Sequence, residues 1–154
     1  MRAMARFVYS MQTVLNVKKK TEDQVKMEFA QAQMKLNAEV DKLNELRGRK
    51  VSYIQYGVEL RQTRLDVQEI ADTNYAVAQM DVLIKNQERV VQFYRMEFEK
   101  VRARLRIAVQ ERKMQERLRE KAFEEFLEEE KKAEFKEMDQ RTSFTYGQRI
   151  NEQE

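Results

Sequence analysis

The chain has 154 residues, 37% of them charged and 42% hydrophobic, with no proline, no cysteine, no histidine and three glycines. That length sets a single domain as the prior, and the wealth of Glu, Lys, Arg, Gln, Ala, Leu and Met with so few breakers sets long helices and no strands. The missing histidines and cysteines exclude the usual transition-metal ligands, nucleophile–base pairs and disulfides, and the net charge of +3 is too mild to argue for nucleic acid.

The first ten residues carry Arg2 and Arg6 but no continuous apolar core, so no signal peptide is expected, and no apolar run reaches the roughly 18 residues that span a bilayer. A first helix is expected over about 4–57. Met11, Leu15, Val25, Phe29, Ala32 and Leu36 share one seam, with Lys18 and Glu22 at the two intervening core positions. Polar residues at a seam weaken packing and fix register. Val40 and Leu43 then follow at two successive spacings of four, a stutter that locally unwinds the supercoil. Gly48 is a soft spot inside the helix, and Val51 and Ile54 are expected to continue the stripe.

The turn is expected at about 57–66. Gly57 reads as a C-terminal cap, because glycine enters the left-handed conformation at little cost. Asp66-Val67-Gln68-Glu69 is an Asp-x-x-Glu capping box, and Leu65 and Ile70 stand at the positions of a hydrophobic staple.

A second helix is expected over about 67–141. In it Val91, Tyr94, Phe98, Val101, Leu105 and Ala108 recur at alternating spacings of three and four, the seam of a coiled coil. The fold class is therefore all-α, a long antiparallel two-helix coiled-coil hairpin. With the turn at 57–66, facing residues have numbers that add to about 123, which sets Phe29 beside Tyr94, Val25 beside Phe98 and Leu15 beside Ala108. A slip of one heptad fits the seam almost as well, so only the turn position selects this register.

In that register Lys18, Lys19 and Lys20 face Arg102, Arg104 and Arg106 with only Glu22 nearby. Like charges on a coiled-coil flank cost a few tenths of a kcal/mol per pair, roughly, so the zone is read as a contact for an acidic partner. The second helix outruns the first beyond about residue 122. There Phe123, Phe126, Leu127 and Phe135 lie in an acidic run and stand without a partner in the hairpin, open either to docking another protein or to fraying. Residues 142–154 read as a flexible tail. No zipper follows the basic stripe as a bZIP module requires, and the apolar face is a narrow seam rather than a membrane-binding face. Catalysis, a cofactor and nucleic acid are not expected.

The run Phe7-Val8-Tyr9-Ser10-Met11-Gln12-Thr13-Val14-Leu15, followed by Lys18, Glu22, Gln24 and Ala30-Gln31-Ala32, resembles the opening of the FliJ family, small coiled-coil proteins of the flagellar type III export apparatus. The second helix opening near LDVQEI and the ending KKAEFKEMDQR are similar to that family too. The resemblance implies a non-enzymatic stalk of the export ATPase hexamer, with the end bearing the termini inserted in the ring and promoting its assembly. It also implies contacts with the cytoplasmic linker of the membrane export gate and with export chaperones. The protein would then be cytoplasmic, peripheral at the cytoplasmic face of the cell membrane, and a monomeric hairpin when free. The basic zone Lys18, Lys19, Lys20, Arg102, Arg104 and Arg106 would meet the ATPase. The family's gate-contact stripe falls on Thr73, Ala76, Met80, Leu83 and Gln87, although its first two aromatic positions are here Thr73 and Ala76. The equivalent stalk of a virulence type III system and a self-associating structural coiled coil are the alternatives.

Overall fold

The computed structural model describes residues 5–153. It contains two helices, α1 over Gln12–Thr63 and α2 over Val67–Gln153, packed antiparallel as an all-α hairpin. Among the described residues there is no strand. The expected start of the first helix near residue 4 lies outside the described residues. Residues 5–9 are not helical, and the Gln12 amide donates to the Tyr9 carbonyl where the chain turns into α1.

The turn lies later than the sequence indicated. Gly57 is not a cap: no glycine has positive φ, and α1 runs on through it to Thr63. Glycine eases a close approach there instead. A Cβ on Gly57 would stand 3.2 Å from the Thr73 Cγ2, so the smallest residue lets the two helices meet. The connection is only Arg64–Asp66. The Asp66 carboxylate accepts from the amides of Gln68 at 3.0 Å and Glu69 at 3.3 Å, which makes it the N-cap of α2. The reciprocal half of the capping box does not form, because Glu69 accepts from Arg64 at 3.1 Å. Nor does the staple close, since Leu65 is 81% exposed.

The chain divides into two compact units, each containing antiparallel segments of both helices. In the unit of residues 23–107, Leu43, Ile84 and Val91 are buried together, with Leu36, Val40, Leu46 and Met80 packed against them. Phe29 and Phe98 meet with ring centroids 5.0 Å apart, and Lys50 pairs with Asp81 at 2.6 Å. Towards the turn Val51 and Ile54 are exposed, and the buried face runs through Gly57 and Leu60 instead. In the unit of residues 1–22 and 108–154, Leu15 and Ala108 are buried, and Tyr9 donates to the Gln115 side chain at 3.1 Å.

Facing residues in both units have numbers adding to about 130, as in Gly57 with Thr73, Glu28 with Arg104 and Lys18 with Glu111. The register therefore differs from the expected one by a heptad. Moving the centre of the turn by half a heptad moves the sum by a whole one, and the apolar seam, which repeats every seven residues, accepts either.

Two further expectations give way. Residues 142–153 continue α2 rather than forming a tail: Thr142 and Thr145 bond back to the carbonyls of Met138 and Arg141, and Arg141 pairs with Glu137 one turn earlier. The aromatics past residue 122 are also not all left over. Phe7 packs edge-on against Phe123 at 5.1 Å and against Phe126 at 5.5 Å, with the Arg119 guanidinium 5.6 Å over its ring.

Candidate functional site

The heptad shift re-pairs the basic zone. Lys18 is half-buried and bonds Glu111 at 2.9 Å. Glu22, only 3% exposed, accepts from Arg112, whose guanidinium also holds Glu116 at 2.8 Å. Those two carboxylates, Glu116 first and Glu22 second, raise the Arg112 pKa above its ordinary value. In the other unit Arg104 pairs across the seam with Glu28 at 2.8 Å, and Arg102 pairs along its own helix with Glu99 at 3.5 Å. Lys19, Lys20 and Arg106 are exposed, and among the described residues none of the three forms an ion pair. The expected confrontation of six positive charges is thus not what the structure contains: Lys18 and Arg104 are answered by carboxylates across the seam, and Arg102 by one on its own helix.

The second predicted set, Thr73, Ala76, Met80, Leu83 and Gln87, lies mostly on the inner side of α2. Thr73 is buried against Gly57, Met80 packs on the Leu43–Ile84–Val91 cluster, and Gln87 donates to the Glu39 carbonyl and carboxylate. The Gln87 bond, and more weakly Lys42, hold the Glu39 carboxyl below its ordinary pKa against the opposing effect of desolvation. Ala76 is half-buried, and Leu83 is the exposed member of the five, at 44%. The motif sets the stripe's alignment, whereas three of its members, Thr73, Met80 and Gln87, stand at whole heptads from the seam residue Tyr94 and so face α1.

Two shallow hollows were not anticipated. One lies between Gln12, Leu15, Lys19, Glu116, Arg119, Glu120 and Phe123. The other is lined by Glu28, Gln31, Ala32, Lys35, Phe93, Tyr94, Glu97 and Val101, where exposed Phe93 stands edge-on to Tyr94 at 5.3 Å. The signal for the second was Phe93 itself, a large apolar residue off the seam. Among the described residues, no helix is long and apolar enough to cross a membrane.

The family described as flagellar FliJ protein matches residues 7–151, nearly the whole chain. The chain belongs to the FliJ family. Membership places it among the coiled-coil proteins associated with flagellar protein export. No match to the chain was found among curated proteins or among solved structures.

Proposed function

We propose that this FliJ family member is a non-enzymatic stalk of the flagellar export ATPase, promoting assembly of its ring and linking it to the export gate and export chaperones. The observation that supports this reading is the family match over residues 7–151 on a hairpin whose two helices fill each other's seam. Such a hairpin consumes its apolar stripe internally and leaves outward faces of charge and scattered apolar side chains for partners. Lys19, Lys20, Arg102 and Arg106 are the exposed cations offered to the ATPase, and Leu83 is the residue of the gate stripe that a partner reaches without opening the hairpin. On this reading the protein works in the cytoplasm, held at the inner face of the cell membrane through its partners.

The test is ATP hydrolysis by the cognate export ATPase with the purified protein added. Stimulation is expected, and charge reversal of Arg102 and Arg106 together with Lys19 and Lys20 is expected to abolish it while the helical circular dichroism stays unchanged. Hydrolysis unaffected at every ratio of the two proteins would sink the ATPase reading. Leu83→Asp is the matching probe of the gate, and equal binding of the gate's cytoplasmic linker before and after that change would remove the residue from the interface.

A further inference from the structure

One face of α2 departs from the pattern of pairing. Gln110, Lys113, Met114, Arg117, Leu118 and Lys121 line a shallow hollow to which α1 contributes nothing. Its floor is apolar, with Met114 59% and Leu118 45% exposed, and its rim carries Lys113, Arg117 and Lys121. Glu111 holds Lys18 and Glu116 holds Arg112, and no carboxylate lines the hollow, Glu120, Glu124 and Glu125 included. Among the described residues, none of Lys113, Arg117 and Lys121 forms an ion pair. Their spacing of four makes them neighbours on the helix surface, an arrangement that works against helix stability. Besides Lys19, Lys20 and Arg106, positive charge without an ion pair among the described residues is thus also found further along α2.

An exposed apolar pair ringed by one sign of charge has the composition of an interaction site, with methionine giving an adaptable floor. We infer that this face is a docking surface for an acidic amphipathic helix of another protein, which seats apolar side chains on Met114 and Leu118 and presents carboxylates to Lys113, Arg117 and Lys121. A partner helix supplies such a stripe at spacings of three and four. Charge complementarity selects the partner's sign, and the apolar floor selects a protein helix over a purely polyanionic chain. The surface is separate from the residues proposed above for the ATPase and the gate, and it stands whether or not those assignments hold.

The experiment is a fluorescence-anisotropy titration of the full chain with a labelled synthetic helical peptide bearing leucines at spacings of three and four and glutamates on the flanks. A peptide of the same composition in scrambled order is the comparison. The ordered peptide is expected to bind at least tenfold more tightly than the scrambled one. Lys113→Gln with Arg117→Gln and Lys121→Gln, and separately Met114→Ser with Leu118→Ser, are each expected to weaken it at least tenfold. All five side chains are exposed, so the thermal melts of these variants are expected to match that of the parent. Phe135→Ser with Met138→Ser removes an exposed apolar pair elsewhere on α2 and is expected to leave binding unchanged. Equal affinity for the two peptides, or binding untouched by either set of changes at residues 113–121, would overturn the inference. So would tighter binding of duplex DNA than of the ordered peptide. A dimer in light scattering that Met114→Ser with Leu118→Ser dissolves would overturn it too, by assigning the face to a second copy.

Discussion

The two units bring the same pair of helices together by different chemistry. In residues 23–107 the contact is largely aliphatic and aromatic, with Leu43, Ile84 and Val91 buried and Phe29 against Phe98. In residues 1–22 with 108–154 a buried carboxylate, Glu22, sits on Arg112, Tyr9 bonds Gln115, and Phe7 caps Phe123 and Phe126. An aliphatic seam repeating every seven residues gains almost equally from registers one heptad apart. A polar layer does not, because a slip separates Glu22 from Arg112, and such layers are the established means of fixing coiled-coil register. The first unit contributes aliphatic burial flanked by partly exposed cross-helix pairs such as Lys50–Asp81 and Arg104–Glu28, and the second sets a polar layer inside the seam itself. Gly57 opposite Thr73 adds a further register-specific contact to the aliphatic unit, by shape instead of charge.

The largest effect is expected in the aliphatic unit. Leu43→Ala truncates a residue that is 6% exposed and is expected to destabilise the hairpin by about 2–4 kcal/mol, read from denaturant unfolding. A loss below about 1 kcal/mol would show that the Leu43–Ile84–Val91 cluster is not the centre of this unit's burial. Arg112→Leu is the counterpart in the other unit. It removes the guanidinium bonds to Glu22 and Glu116, and the melting temperature is expected to fall, by less than for Leu43→Ala because the Arg112 side chain is 24% exposed and water screens the pair. Replacing both partners, Glu22→Leu with Arg112→Leu, is expected to restore the melting temperature, since an apolar pair needs no desolvation of charge. A double variant no more stable than Arg112→Leu alone would show that the layer is held by more than this pair.

The register itself is open to a direct test, because the chain contains no cysteine. Gly57→Cys with Thr73→Cys is expected to oxidise readily to a disulfide, given that a Cβ at position 57 would stand 3.2 Å from the Thr73 side chain. Gly57→Cys with Asp66→Cys, the pair that the sequence register would bring together, is expected to stay reduced within the monomer. The opposite pattern would return the hairpin to the earlier register.

How far the sequence carried follows from which signals are local and which are relational. The seam residues Leu15, Val25, Val91 and Ala108 were legible from spacing alone and are buried, and the Asp66 cap was legible from an acceptor beside three orphan amides. The end of α1 was not, because Gly57 carries the signature of a cap and of a close approach alike, and only the facing Thr73 tells them apart. The cross-helix charge partners inherited that single uncertainty: the partners of Lys18 and Arg104 follow from the heptad shift, whereas Thr73, Met80 and Gln87 sit at whole heptads from Tyr94 on the seam and turn inward in either register. The extension of α2 to Gln153 was hidden differently, because Thr142 and Thr145 count against a helix by propensity yet bond its own carbonyls once it forms.

The smallest effect is that of a polar contact within the aliphatic unit, read from its response to acid. The Glu39 carboxyl is held below its ordinary pKa chiefly by Gln87, so its folded value lies below its unfolded one. Such a group contributes stability that is fully present above the unfolded pKa and is lost as the pH falls through the folded one. Gln87→Ala removes the main cause of the lowering. Stability at neutral pH is then expected to drop slightly, and the further loss on acidification through the carboxylate range, beginning just above 4.5, is expected to shrink. Denaturant melts of the parent and of Gln87→Ala on both sides of that range give the comparison. The two curves are expected to converge at low pH. Parallel curves would mean that Gln87 acts through packing alone and that Glu39 titrates as an ordinary surface carboxylate.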